Sequence, residues 1–324
     1  MTKPPRLTRR AALCHLNRWS LVAGLSLTTG CSNDILANRQ RDGLLATVAT
    51  TGMIADLVRQ IGGALVRVEQ LIQAGVDPHL YKPIRDDVVA ILASDVVFFN
   101  GLKLEGRMAD LLSGNVAENR RHVALSDAMD KSEWLGEPGV DAIDPHIWMD
   151  VSVWARATKI VESQLSALLP DRAQEFAERA AALQSRLEQL DRRGRAAMDS
   201  IPTAQRVLIS SHDAFQYFGR RYGLQVEGVQ GISTASEAGL SRIPELIALI
   251  QERRIPAVFK ESSVAGRMID AILEGAAARG VRLSVGPELY SDALGETGSG
   301  ADTYEGMMIH NFRSVAESLG GRWE

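Results

Sequence analysis

A helical pattern of about thirty residues, opened by Pro170-Asp171 and running roughly to Ser200, constrains this chain's fold more than any other feature. Phe176, Leu183, Leu187, Leu190 and Ala197 follow one another at steps of seven, four, three and seven, drawing a narrow apolar stripe with charges elsewhere. Neither Pro nor Gly interrupts the run before Gly194. At 1.5 Å per residue such a helix spans roughly 45 Å. That length suits a strut joining two domains. A coiled-coil dimer is the competing reading, although a stripe of this length also occurs on ordinary long helices.

Strands and helices alternate on both sides of the strut. Before it, apolar runs predict strands over 44–49, 66–72, 95–100 and 122–125, and helical spacing marks 53–61, 88–93 and 151–169. After it, strands are expected over 207–210, 224–229, 257–260 and 281–285, with helices over 214–222, 243–252, 268–278 and 304–319. Such alternation implies parallel sheets with helices on their faces. The two halves look alike in pattern, though not in residues. The length of 324 residues also favours two domains. We expect an α/β domain over 44–170, a linking helix over 171–200 and a second α/β domain over 201–324. A segment rich in Gly, Pro and acids, 131–144, reads as a surface loop.

The amino-terminal thirty residues read as an export signal rather than as part of the fold. Lys3, Arg6, Arg9, Arg10 and Arg18 make a basic head without acids, an apolar stretch of about ten residues follows, and Gly30 precedes Cys31. That stretch is too short to span a bilayer, which takes about twenty residues. Thr8-Arg9-Arg10 with Leu13 resembles a twin-arginine address, with an ordinary basic head as the alternative. Gly30-Cys31 resembles the bacterial lipoprotein junction, so Cys31 is expected to carry a lipid, with 31–43 as a tether. Cys14 lies inside the signal, so the mature fold has neither an internal disulfide nor a thiolate metal site. Removing the signal takes five of the 36 basic residues and none of the 40 acidic ones, leaving a net charge of −9. That argues against a nucleic-acid partner.

Three of the remaining histidines share a context. His79 follows Val76-Asp77-Pro78, His146 follows Asp144-Pro145, and His212 follows Leu208-Ile209-Ser210-Ser211. Each stands just beyond a strand or at a loop corner, where parallel sheets build their ligand sites. Proline fixes its own dihedral and restrains its predecessor, which helps hold the imidazole that follows. From spacing alone, both a shared metal site and three separately satisfied histidines remain open.

Four ordered motifs carry a family resemblance. Val76-Asp77-Pro78-His79-Leu80-Tyr81-Lys82-Pro83, Asp144-Pro145-His146-Ile147-Trp148-Met149-Asp150, Ser211-His212-Asp213-Ala214-Phe215-Gln216-Tyr217-Phe218 and Leu289-Tyr290-Ser291-Asp292-Ala293-Leu294-Gly295 resemble the metal motifs of the cluster A-I substrate-binding proteins of ABC importers. The resemblance runs from about Leu44 to Asn311. It implies two α/β domains joined by one long rigid helix, with a divalent metal in the interdomain cleft. It also implies His79, His146, His212 and Asp292 as ligands, two from each domain, and a permease in the cytoplasmic membrane as partner. Asp144, Asp213 and Glu261 are candidates to orient the imidazoles, although Asp144 alternatively only caps a turn. His310 is expected to be structural and His122 to face solvent.

Residues 80–145 contain only His122 and lack the His-rich acidic loop of zinc-specific relatives, and the 231–239 stretch resembles manganese-type members. A carboxylate among the ligands suits manganese, whereas three histidines and the affinity order suit zinc. The expected cargo is therefore Mn²⁺, ahead of Zn²⁺ or a mixed role, with Fe²⁺ third. A zinc hydrolase needs an open coordination position and a nearby base. No His-Glu-x-x-His helix is present, so an exported, monomeric binding protein is expected rather than an enzyme. A surface adhesin finds no supporting repeat or aromatic patch.

Overall fold

Short apolar runs form the strands, and the alternation of their side chains decides what covers each face. The computed structural model describes residues 43–113, 121–136, 142–235 and 240–324. The expected leader, Cys31 and all of the tether but Gly43 lie outside the described residues.

Strands β1 (Leu45–Ala49), β2 (Val66–Gln70), β3 (Val96–Phe99) and β4 (Arg121–Ala124) form one parallel sheet in the order β2-β1-β3-β4. Leu45, Ala49, Val96 and Phe98 point into the main core, while Val48 and Val97 point to the opposite face. Helix α1 (Gly52–Gly62) packs into the main core through Met53, Leu57, Val58 and Ile61. On the other face, α2 (Arg85–Ala93) and α3 (Ala109–Ser113) contribute Ala90, Ile91 and Leu112. Both faces are thus covered, as an all-parallel sheet requires.

The carboxy-terminal half repeats this plan with different residues. β5 (Val207–His212) pairs in parallel with β6 (Gln225–Gln230), and β7 (Ala257–Val258) with β8 (Ser284–Val285). A backbone hydrogen bond from Phe259 N, just beyond β7, to Ile209 O of β5 at 2.9 Å sets the two pairs side by side. Helices α6 (Gln216–Tyr222), α7 (Ile243–Arg253), α8 (Arg267–Ala278) and α9 (Tyr304–Ser318) complete the half. β7 ends earlier than the sequence suggests, at Val258, because Pro287 on the neighbouring segment, lacking an N–H, interrupts the ladder, and β8 begins later than expected, at Ser284. Pairing resumes beyond it, where Leu289 N donates to Lys260 O and Ser262 N to Leu289 O, each at 2.9 Å.

Two helices connect the halves. α4 (Val151–Leu168) is capped by Asp150, whose side chain accepts from Ser152 N at 2.9 Å and Val153 N at 3.4 Å. A tight turn over Pro170–Arg172 then opens α5 (Ala173–Asp199), whose 27 residues extend about 40 Å. Phe176, Leu183, Leu187, Leu190 and Ala197 are all buried, and the helix lies against α4, α9 and α1. The apolar stripe is therefore covered within one chain, which removes the basis for a coiled-coil dimer. Gly194 permits the close approach of α9, since a Cβ there would strike the Phe312 ring. One continuous core runs from Leu45 to Leu319 through both halves. Among the described residues, no helix is long and apolar enough to cross a membrane.

Candidate metal centre

The four residues singled out from the sequence meet at one point. His79 lies in the loop after β2, His146 at the turn before Ile147–Met149, His212 at the end of β5, and Asp292 in the loop after β8. One ligand atom from each lies within 4.8 Å of every other. His146 Nε2 stands 3.2 Å from His79 Nε2, 3.4 Å from His212 Nε2 and 3.4 Å from Asp292 Oδ1. The second carboxylate oxygen, Asp292 Oδ2, is 3.3 Å from His212 Nε2. All four are buried: His146 and His212 have no exposed surface, Asp292 retains 1% and His79 8%.

The two Asp-Pro-His triplets build the same local turn. Asp77 Oδ1 accepts from His79 N at 2.8 Å, and Asp144 Oδ1 from His146 N at 2.9 Å. Aspartate is suited to this because its short side chain reaches the backbone two residues on. Asp144 goes further and holds the His146 ring through Nδ1 at 2.7 Å, so it both fixes the turn and orients the imidazole. Glu261 does the same for His212, accepting from its backbone N–H at 2.8 Å and pairing with ring Nδ1 at 2.5 Å. Each carboxylate favours the tautomer with the proton on Nδ1 and leaves the Nε2 lone pair facing inward.

Asp213 does not join them. It accepts from Gln216 Nε2 at 2.7 Å and touches no imidazole. Burial, reinforced by Asp144, pushes its carboxyl up to about 6. His122 also departs from expectation: it is half-buried, and its Nδ1 is 2.8 Å from Leu112 O, because β4 sits at the sheet edge beneath α3. His310 is satisfied structurally, with Nε2 at 2.8 Å from Glu288 O.

A buttress missed in the sequence supports the amino-terminal pair. Gly101, Leu102 and Lys103 all have positive φ, at 86°, 52° and 64°. This left-handed turn is held by buried Glu105, which accepts from Asn100 N at 2.6 Å and Thr50 Oγ1 at 2.9 Å. Asn100 Nδ2 donates to Pro145 O at 2.8 Å, steadying the His146 turn. Gly106 packs so closely on His79 O that a Cβ would not fit. Neither motif spacing nor hydropathy marks these contacts, because they depend on tertiary neighbours.

The electrostatics of the cluster are those of a cation trap. Burial pushes His79 down to about 3, so it stays neutral. Burial opposes charge on His146 too, but Asp144 and Asp292 outweigh it and raise that ring to about 9. His212 is likewise driven well above its ordinary value: burial works against it, and Glu261 and Asp292 prevail. Burial would raise Asp292, yet His212 and His146 hold it well below the usual carboxylate range.

Residues 47–318 match the family model described as zinc-uptake complex component A, periplasmic. The chain is 40% identical over 291 residues to the manganese-binding lipoprotein MntA of Bacillus subtilis (strain 168), covering 90% of this chain and 94% of that one. It is also 40% identical over 299 residues to the zinc-binding protein TroA of Treponema pallidum (strain Nichols), covering 92% and 96%. The solved structure of the periplasmic zinc-binding protein TroA from Treponema pallidum superposes with a TM-score of 0.82, covering 86% of this chain and 99% of that one.

Proposed function

Because the chain belongs to the family of zinc-uptake complex component A, a family of substrate-binding proteins and not of enzymes, we propose that it captures one divalent transition-metal ion through His79, His146, His212 and Asp292 and delivers it to an ABC permease. The donor spacing carries this reading. For donors about 2.0–2.1 Å from a central ion, a tetrahedron has edges of about 3.3–3.4 Å; the contacts of His146 with His79, His212 and Asp292 and of His212 with Asp292 run from 3.2 to 3.4 Å, and one ligand atom from each residue lies within 4.8 Å of every other. Both oxygens of Asp292 face ring nitrogens, so the carboxylate is able to add a fifth donor.

Manganese is the cargo we favour. The hard carboxylate, with two oxygens directed inward, supports it, and one of the two 40%-identical relatives bears the name of a manganese binder. Zinc is the second reading, favoured by three imidazoles among the ligands and by the name of the other such relative. The ion is held between α/β lobes on either side of α5, outside the cytoplasmic membrane, and Cys31 serves as the lipid anchor. The lipoprotein and periplasmic names of the relatives support that placement.

Titration of metal-stripped protein tests the site. One ion binds per chain, and His79→Ala or Asp292→Ala weakens binding by roughly 100- to 1,000-fold, one ligand's share of a total near 10–16 kcal/mol. Unchanged affinity in either variant removes that residue from the site. Rescue of a deletion strain under manganese versus zinc starvation distinguishes the two cargoes.

A further inference from the structure

The four donor residues are not held equally. His146 is anchored through its neighbour Trp148, whose Nε1 donates to Ser291 O at 2.8 Å and whose carbonyl accepts from Tyr304 Oη at 2.7 Å. Tyr217 Oη donates to Asp144 O at 3.1 Å, tying the same turn to α6. His212, Asp292 and Glu261 belong to the carboxy-terminal half. These groups form one block crossing both halves behind the ion position. His79 stands apart: it is the most exposed of the four donors, and its loop carries the exposed side chains Val76, Leu80 and Ile84.

A hydrogen bond clasps that loop to the opposite half. Thr234 Oγ1 donates to Asp77 Oδ2 at 2.6 Å across 157 residues of sequence. The other oxygen of the same carboxylate accepts from His79 N at 2.8 Å. Asp77 thus connects the backbone of one donor to a hydroxyl on the segment that follows β6. That segment is itself seated beside His212, since Asp213 N donates to Gly231 O at 3.4 Å. Separating the His79 loop from the other three donors breaks the Thr234–Asp77 bond, whereas the block behind the ion need not move.

We propose that Thr234 is a positioning residue whose hydroxyl, acting through Asp77, clasps the His79 loop shut and sets the rate at which bound metal leaves. This deepens the metal-capture reading and rests on it. Thr234 touches no donor atom, so its removal changes the lifetime of the closed arrangement and leaves the number of ligands intact. A hydrogen bond to a carboxylate of this kind is worth about a factor of 10 to 100 in an equilibrium or a rate.

The test uses zinc-loaded full-length protein mixed with excess EDTA, with release followed by stopped flow. Thr234→Val, which keeps the shape and deletes the hydroxyl, is expected to speed release by roughly 10- to 100-fold. Thr234→Ala should do the same, and Thr234→Ser should restore the slow rate to within about threefold. All variants should bind one ion per chain and take it up at the rate of the unmodified protein, the change appearing in release alone, which a merely structural role would not produce. If Thr234→Val and Thr234→Ala bind one ion and release it at the unmodified rate, the clasp is refuted and metal capture stands. If the unmodified chain takes up no ion, both fall together.

Discussion

Glu261→Gln isolates what a carboxylate behind a ligand contributes. Glu261 is 2% exposed and gives both oxygens to one residue: Oε1 to the His212 backbone N–H at 2.8 Å and Oε2 to ring Nδ1 at 2.5 Å. Glutamine has nearly the same shape but offers one acceptor where two are needed. If its oxygen keeps the ring, its NH₂ faces a backbone N–H. If its oxygen keeps the backbone, its NH₂ faces Nδ1 and favours the tautomer that points a proton at the ion position. Either arrangement loses a buried charge-assisted bond, worth about 1.5–3 kcal/mol. Partners of this kind change metal affinity by about 10- to 100-fold, or about 1.4–2.8 kcal/mol, so the two routes agree. Competition calorimetry against a chelator of known affinity should therefore show a 10- to 100-fold loss with one ion still bound. The proton balance gives a second readout: Glu261 helps hold a proton on His212 in the metal-free protein, so the variant should release fewer protons on binding metal at neutral pH. Affinity within threefold of the unmodified protein, with the same proton release, would refute the argument that Glu261 sets the tautomer of His212.

Two further perturbations concern the same fold. In the metal-free protein His146 is raised to about 9 from an ordinary value of 6.5. A raised imidazole stabilises the fold fully below pH 6.5, and that contribution is lost as pH climbs toward 9; the metal-free melting temperature should fall over this window. Apparent metal affinity should rise over the same window as protons cease to compete, and a melting temperature insensitive to pH in the metal-free protein would contradict the assignment. Gly194→Ala forces a methyl against the Phe312 ring at the α5–α9 contact and should cost about 1–3 kcal/mol by overpacking. Urea unfolding checks this, and an unchanged midpoint would show that α9 yields freely.

Much of this architecture was legible in the sequence because it rests on local pattern. The strut could be read from Phe176 to Ala197, since an unbroken stripe at helical spacing has few other uses. The strand–helix alternation gave the parallel sheets for the same reason. The strand order β2-β1-β3-β4, and the separate β5–β6 and β7–β8 pairs, could not be read, because strand neighbours are chosen by packing rather than by sequence order. Element ends were least legible where one residue overrode propensity, as Pro287 does in ending the β7–β8 ladder. At the centre, the four motifs pointed to the donors, and the repeated Asp-Pro-His triplet pointed to its turn. What the triplet hid was that its two aspartates differ: Asp144 reaches back to its own imidazole, while Asp77 reaches across to Thr234. That choice depends on which neighbour the fold supplies, and no local pattern contains it.

The symmetry of the two halves explains why a cation fits the point where they meet. Parallel strands all end in the same direction, so the loops after β2, β5 and β8 are directed to one edge of each sheet, and the halves can bring these edges together. Doing so forces three Nε2 atoms to within 3.2–3.4 Å along the His79–His146–His212 line and buries Asp292 among them. Where Nδ1 carries the proton, these lone pairs face one another, and burial denies them water. Such an arrangement is unfavourable unless something positive lies between them. In the metal-free protein protons answer this need, which is why His146 and His212 are raised despite burial. A divalent ion answers it better because it satisfies all four donors at once. The closed geometry and the affinity for a cation therefore have one electrostatic origin: a chain that brings these loops together must also hold a charge between them.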